Sequence, residues 1–199
     1  MTALVLASAS PRRREMLERI GLAIEVHPGD VDERVTPGEA PGAYVARIAR
    51  AKADSAPCGA RWVLAADTTV TLDGAILGKA ESAEHAADMV RHLAGRTHQV
   101  LTAFVLIGRR DDVERRREGV VSTDVALIDL DAETVADYVA SGEWRGKAGG
   151  YAIQGIGAAL VREIRGSVTN VVGLPVVEVV AALRELGGPL PRFSAGVPA

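Results

Sequence analysis

Short apolar runs rich in Val, Leu and Ile alternate with helical patterns along this chain, and that alternation restricts it to an α/β layered fold. Leu4-Val5-Leu6-Ala7 is followed by a helix carrying Met16, Leu17 and Ile20 on one side and closed at Gly21. Ala23 to His27 reads as a strand, and a helix with Tyr44, Val45, Ile48 and Ala49 on its apolar side runs from about Gly42 to Ala56, carrying Lys52. Trp62 to Ala66 is a buried strand that ends at Asp67-Thr68. Thr69 to Leu72 and Ala75 to Leu77 flank the hairpin signal Asp73-Gly74. Ala83 to Leu93 reads as a helix, then His98 to Ile107 and Val120 to Ile128 as long strands around a charged, solvated tip from Arg109 to Glu118. Asp131 caps a helix to Ser141 that Gly142 ends, Ala158 to Ile164 reads as a strand, and Pro175 to Leu186 as a last helix. Residues 1–186 are expected to form a single domain and residues 187–199, where Gly, Pro and Ser dominate, a loosely ordered tail.

The 199 residues, 48% of them apolar, suffice for one core or for two lobes sharing one sheet. A net charge of -3 leaves no global footprint for nucleic acid or an anionic membrane, so no partner of either kind is expected and any anion binding is local. The single cysteine, Cys58, excludes an intramolecular disulfide framework and a cysteine zinc site and fits a reducing compartment. The apolar run before Ser8 is too short for a signal-peptide core, and no apolar stretch approaches ~20 residues. A cytoplasmic protein is the expectation.

Chemistry concentrates where apolar elements end. A strand that gives way to Ser8-Ala9-Ser10-Pro11-Arg12-Arg13-Arg14 and then a helix gathers backbone N–H groups, hydroxyls and guanidinium forks, which is what a phosphate needs. Taken alone, the same segment also fits an ordinary turn with a solvated basic face. Glu33, then Asp67-Thr68 with Lys79, then Lys147-Ala148-Gly149-Gly150-Tyr151-Ala152-Ile153-Gln154-Gly155 are the other polar clusters. The last is dense enough in glycine for its backbone to approach a ligand closely.

With these clusters in order, the chain resembles the Maf family of nucleoside-triphosphate pyrophosphatases. The motifs are Leu-Ala-Ser-Ala-Ser-Pro-Arg-Arg, Ala-Asp-Thr-Thr-Val, Gly-Lys, Lys-Ala-Gly-Gly-Tyr-Ala-Ile-Gln-Gly and Asn-Val-Val-Gly-Leu-Pro, spanning Leu4 to about Leu186. The resemblance implies an inosine-triphosphate-pyrophosphatase-like α/β fold: a mixed twisted sheet flanked by helices, in two lobes with a central cleft. It also implies hydrolysis of a nucleoside triphosphate to the monophosphate and pyrophosphate with a divalent cation, Mg²⁺ or Mn²⁺, and a homodimer is compatible with it.

Roles follow residue by residue. A triphosphate repels nucleophiles by its own charge, so catalysis consists mainly of neutralising oxygens, positioning water and stabilising the leaving group. The resemblance implies Asp67 as general base, Lys52 and Lys79 as catalytic cations, and Glu33 with Asp67 as oxygen ligands of the metal. A carboxylate with the usual pKa of about 3.9 takes a proton from bulk water poorly, so a metal-polarised water or a buried setting is required. Without the resemblance, a structural, turn-capping Asp67 is the simpler reading.

Ser8, Ser10 and Arg13 are expected on the phosphates, Lys147 is expected among the substrate-binding residues, and Arg12, Thr68 and Gln154 match the combination of the dTTP/UTP subfamily. A Gln carboxamide complements the N3–H and carbonyls of thymine and uracil, whereas cytosine reverses that pattern. The alternatives are a 7-methyl-GTP or modified-nucleotide pyrophosphatase, and a nucleotide-binding regulator of septum formation. Thr69, Gly150, Ala152 and the tail depart from the commoner family pattern. His27, His85, His92 and His98 lack metal-ligand spacing and are expected at the surface or in packing. Arg115-Arg116-Arg117 is expected to balance the acidic residues around it.

Overall fold

The structure, a computed structural model, describes residues 3–111 and 113–192. Its strands are β1 (Leu4–Leu6), β2 (Ile24–Val26), β3 (Trp62–Leu72), β4 (Ala75–Leu77), β5 (Thr97–Arg110), β6 (Val113–Leu127) and β7 (Val161–Arg165). The helices are α1 (Pro11–Arg19), α2 (Pro41–Asp54), α3 (Ala83–Leu93), α4 (Ala132–Ala140), α5 (Val168–Val172) and α6 (Val176–Leu186), with a 3-10 helix at Gly155–Leu160. The sheet runs in the order β2-β1-β3-β5-β6-β7, and β4 pairs with β3. It is mixed: β1 lies parallel to β2 and β3, while β4 and β7 run antiparallel to β3 and β6. The α/β fold with a mixed sheet flanked by helices is therefore as expected. Among the described residues, no helix is long and apolar enough to cross a membrane.

The chain divides into two compact units. The first holds the described residues up to Asp67, with Thr102–Val121 and those from Gly173 onward. Its core gathers Leu4, Leu6, Leu17, Trp62, Leu64, Phe104, Leu106 and Leu183. In α2 the buried positions Val45, Ile48, Ala49, Lys52 and Ala53 recur at helical spacing, which places a lysine on the inward stripe. Gly187, at φ 73, closes α6, and the amide of Gly188 donates to the Leu183 carbonyl at 2.7 Å. Arg192 N–H then donates to Ile20 O at 3.0 Å. Residues 193–199 of the expected tail lie outside the described residues.

The second unit comprises Thr68–Leu101 and Ser122–Val172, around Val70, Leu72, Val90, Leu93, Val125, Leu127, Tyr138, Trp144 and Tyr151. Asp73 (φ 52) and Gly74 (φ 80) make the expected hairpin turn between β3 and β4. Asp131 caps α4 by accepting from Thr134 N at 2.8 Å.

Three local expectations are corrected. β3 does not end at Asp67-Thr68 but continues to Leu72, because Thr69-Val70-Thr71-Leu72 is itself a β-branched, buried run that pairs with β4. The charged segment Arg109 to Glu118 is not a loop: β5 and β6 extend through it, and its side chains pair with one another and with neighbours, as Arg109 does with Glu114 and Arg116 with Asp54. The strand expected from Ala158 begins only at Val161, since the residues before it are drawn into the 3-10 helix.

Candidate active site

In the first unit, β1 delivers Ser8 to the start of α1. Pro11 occupies the first helical turn, where its missing N–H costs nothing, and its fixed φ sets the direction of the following arginines. Arg13 is only 7% exposed and points inward. Its Nη1 donates to Ser8 Oγ at 2.8 Å and its Nε to the Gly173 carbonyl at 2.7 Å. Ser8 Oγ also accepts from Ser10 N–H at 3.3 Å, so the three residues expected on phosphate are brought together. Burial lowers the Arg13 pKa, an effect that the charges of Asp67 and Glu33 oppose and that of Arg12 reinforces. Half-buried Arg12 is likewise shifted downward by burial, with Glu15 opposing.

The second element of the site is a buried lysine between two carboxylates. Lys52 Nζ lies 2.6 Å from Glu33 Oε1 and 2.7 Å from Asp67 Oδ1. Lys52 and Asp67 are 8% and 7% exposed, a depth at which neither charge is tolerated alone. Tyr44, about two turns before Lys52 on α2, donates its hydroxyl to the Glu33 carbonyl at 3.0 Å. Burial first, and then the negative field of Asp67 and Glu33, push its pKa up to about 12, so it remains a donor.

Two carboxylates converging on one positive charge are a suitable donor set for a small divalent cation, which takes one or two protein carboxylates and fills its remaining positions with water and phosphate. Glu33 and Asp67 fit that description, with the Lys52 ammonium now between them. Among the described residues, no group of three or more His, Cys, Asp or Glu gathers.

The remaining expected residues belong to the second unit. Thr68 follows Asp67 inside β3. Lys79 pairs through its backbone with Ala148, and the amide of Gly149 donates to the carbonyls of Leu77 and Gly78 at 3.2 and 3.0 Å, so Lys79 and Lys147 stand on adjoining segments. Gly149 and Gly150, at φ 69 and 71, turn the chain in a conformation that side chains rarely adopt. Tyr151 then plunges inward, its hydroxyl 2.6 Å from His98 Nε2, and Ala152 N–H donates to the Tyr138 hydroxyl at 3.2 Å. Gln154 is exposed and its side chain makes no helix-capping bond. Of the histidines, His27 pairs at the surface with Glu25 and His98 is buried in packing, as expected.

Two contributors escaped the sequence reading. Periodicity places Tyr44 on the apolar side of its helix, where it cannot distinguish hydroxyl from ring. Gly173 lies in the Asn-Val-Val-Gly-Leu-Pro segment, whose composition indicates no role for it; its carbonyl orients Arg13, at a φ of 125 that disfavours a side chain.

This chain is similar to several named proteins. A dTTP/UTP pyrophosphatase of Anaeromyxobacter dehalogenans is 52% identical over 94% of this chain and 96% of that protein. Proteins of the same name from Myxococcus xanthus and Methylobacillus flagellatus are 49% and 45% identical, each over 96% of this chain and at least 95% of the relative. Among solved structures, that of a HAM1 protein from Coxiella burnetii matches 63% of this chain and 74% of its own at 20% identity and a TM-score of 0.41, a likeness too distant to carry an argument. The Maf family, described as Maf-like protein, matches residues 3–186. With that match running from the Ser8 turn to the end of α6, through every cluster described above, the chain belongs to the Maf family.

Proposed function

We propose that this protein is a metal-assisted nucleoside-triphosphate pyrophosphatase of the cytoplasm that hydrolyses dTTP and UTP to the monophosphate and pyrophosphate, with residues 1–186 as its catalytic domain. The observation that carries the reaction type is the contact of the buried Lys52 with both Glu33 and Asp67, in one unit with the Arg13 anchor. The choice of pyrimidine rests on the names of the relatives and on Arg12, Thr68 and Gln154.

Arg13, preset by Ser8 and Gly173, offers a fixed guanidinium to phosphate oxygens, so little side-chain freedom is lost on binding. Ser8 and Ser10 add hydroxyl and backbone donors. Lys52 holds Asp67 through Oδ1 and so orients the carboxylate that takes the proton from the attacking water. Glu33 and Asp67 would hold Mg²⁺ or Mn²⁺, which supplies charge neutralisation and polarisation of water. Lys79 and Lys147 are assigned to the phosphates, and their compact ammonium charges can follow negative charge as it moves to the leaving group. Arg12, Thr68 and Gln154 select the base. No nucleic acid or membrane is needed, and a homodimer accords with this reading.

Incubating the purified protein with each ribo- and deoxynucleoside triphosphate plus Mg²⁺ or Mn²⁺ tests it. Monophosphate and pyrophosphate are expected from dTTP and UTP first. Release of neither product from any triphosphate overturns the reading, and a preference for 7-methyl-GTP or a modified nucleotide replaces the substrate.

A further inference from the structure

The segment following Gln154 is a 3-10 helix, and like any helix it opens with N–H groups that lack internal partners. Ordinarily the residue before the first turn, a Ser, Thr, Asp or Asn, supplies an acceptor from its own side chain. Gln154 occupies that position with extended backbone (φ -101, ψ 141), yet its side chain caps nothing. The acceptor comes instead from Glu143. Its Oε1 receives Ile156 N–H at 3.1 Å and its Oε2 receives Gly157 N–H at 2.7 Å. One carboxylate thus makes two charge-assisted bonds to consecutive amides, the stronger kind of hydrogen bond.

That carboxylate is firmly based. Glu143 N–H donates to Ser141 Oγ at 3.2 Å, Ser141 Oγ donates to the Tyr138 carbonyl at 2.5 Å, and the neighbouring Trp144, buried, donates its indole N–H to Val139 O at 3.0 Å. The clamp is therefore rooted in the end of α4. On the other side Gly155 makes room for it: its φ is 79, and a Cβ there would overlap Glu143 Oε1. Capping from a distant residue leaves the Gln154 carboxamide outside the cap while the backbone is pinned two residues away, at Ile156.

We propose that Glu143 is the positioning residue for base selection: it fixes the backbone from which Gln154 projects and thereby sets the preference for uracil and thymine over cytosine. The proposal rests on the reading of Gln154 as a base-contacting residue. A purely architectural Glu143 predicts something different, namely a loss of stability and an equal loss of activity on every nucleotide.

The test compares kcat and KM for UTP and CTP in the wild type, Glu143→Ala, Glu143→Gln, Gln154→Ala and the double variant Glu143→Ala/Gln154→Ala, with thermal midpoints alongside. Glu143→Ala is expected to lose about tenfold of the UTP-over-CTP ratio of kcat/KM, mainly through the KM for UTP, a size set by one mispaired buried edge. Glu143→Gln keeps one acceptor and turns an NH₂ towards the other amide, so its ratio should fall between the two. In the Gln154→Ala background the Glu143 substitution should change the ratio no further. An unchanged ratio in the Glu143 variants, or an equal change when Gln154 is already absent, overturns the proposal; if Glu143→Ala does not fold, Glu143→Gln decides. A wild type that hydrolyses neither UTP nor dTTP removes the underlying reading, and the proposal with it, before any substitution is compared.

Discussion

Arg13 and Gly173 are 160 positions apart in the chain, yet the guanidinium Nε donates to the glycine carbonyl at 2.7 Å. This bond joins the first helix to the turn that precedes the last one. It gives Gly173, within the first unit, a physical purpose as the acceptor that aims a buried arginine. Gly173 provides it at a φ of 125, and Ser8 completes the hold from the other side.

Substituting either partner of Arg13 should be felt in the stability of the first unit. Ser8→Ala leaves a buried, charged N–H donor without its acceptor, a loss of about 1–3 kcal/mol. Gly173→Ala forces a Cβ into a left-handed conformation and should cost more than about 1 kcal/mol. Urea unfolding measures both, and midpoints equal to that of the wild type would refute the anchoring role. On the proposed function, each variant also raises the KM for UTP.

The lysine between two carboxylates yields a prediction that links stability to metal. Lys52→Met leaves Glu33 and Asp67 facing each other without their buried cation, which should destabilise the protein by about 3 kcal/mol. Millimolar Mg²⁺ should then raise the melting temperature of the variant more than that of the wild type, because an ion bound only by the folded state stabilises it by mass action. Equal shifts in the two proteins would show that these carboxylates do not share a cation site. Asp67→Asn, by contrast, should fold and bind a non-hydrolysable UTP analogue while turnover drops at least about 10²-fold, the usual worth of a general base.

Much of this site is legible in the chain because its residues interrupt apolar patterns. Lys52 sits on the inward stripe of α2 between Ile48-Ala49 and Ala53, and Asp67 follows five buried strand residues, so each announces a buried charge in need of a partner. Partnership itself is a tertiary property: nothing at Gly173 indicates that it meets Arg13, and nothing at Glu143 indicates that it caps a helix beginning after Gln154. The latter also explains why a strand is expected from Ala158. Local propensity there is ambiguous, and a carboxylate from another element decides it in favour of a 3-10 turn. At the charged hairpin, polarity conceals strands whose side chains are neutralised by pairing.

That hairpin supplies a negative control for function. Arg117 pairs with Glu185 and Arg116 with Glu114 and Asp54, all at substantially exposed positions. Exposed ion pairs contribute little, so Arg116→Gln and Arg117→Gln should each shift stability by less than about 1 kcal/mol. UTP turnover should stay within twofold of the wild type, on the order of the noise in such comparisons. A large fall in kcat/KM with either variant would place the hairpin in substrate recognition.

His98 makes the folded state sensitive to acid through the same loop that carries Gln154. Its Nε2 lies 2.6 Å from the Tyr151 hydroxyl, its Nδ1 meets no partner among the described residues, and burial holds its pKa down at about 4. In the unfolded chain the imidazole titrates near its usual value of about 6.5. Above that pH neither state binds the proton and this residue contributes no pH dependence. Between about 6.5 and about 4 the unfolded chain takes up a proton that the folded one refuses, so stability falls as the pH falls, by about 1.4 kcal/mol per unit and about 3 kcal/mol across the window. His98→Gln retains an acceptor for the tyrosine but cannot titrate. The stability difference between wild type and His98→Gln, measured by urea unfolding at pH 7 and again at pH 4.5, should therefore shift by about 2 kcal/mol in favour of the variant at the lower pH. Carboxylates common to both proteins cancel in that difference, so two parallel pH profiles would mean that His98 accepts its proton without breaking its contact with Tyr151.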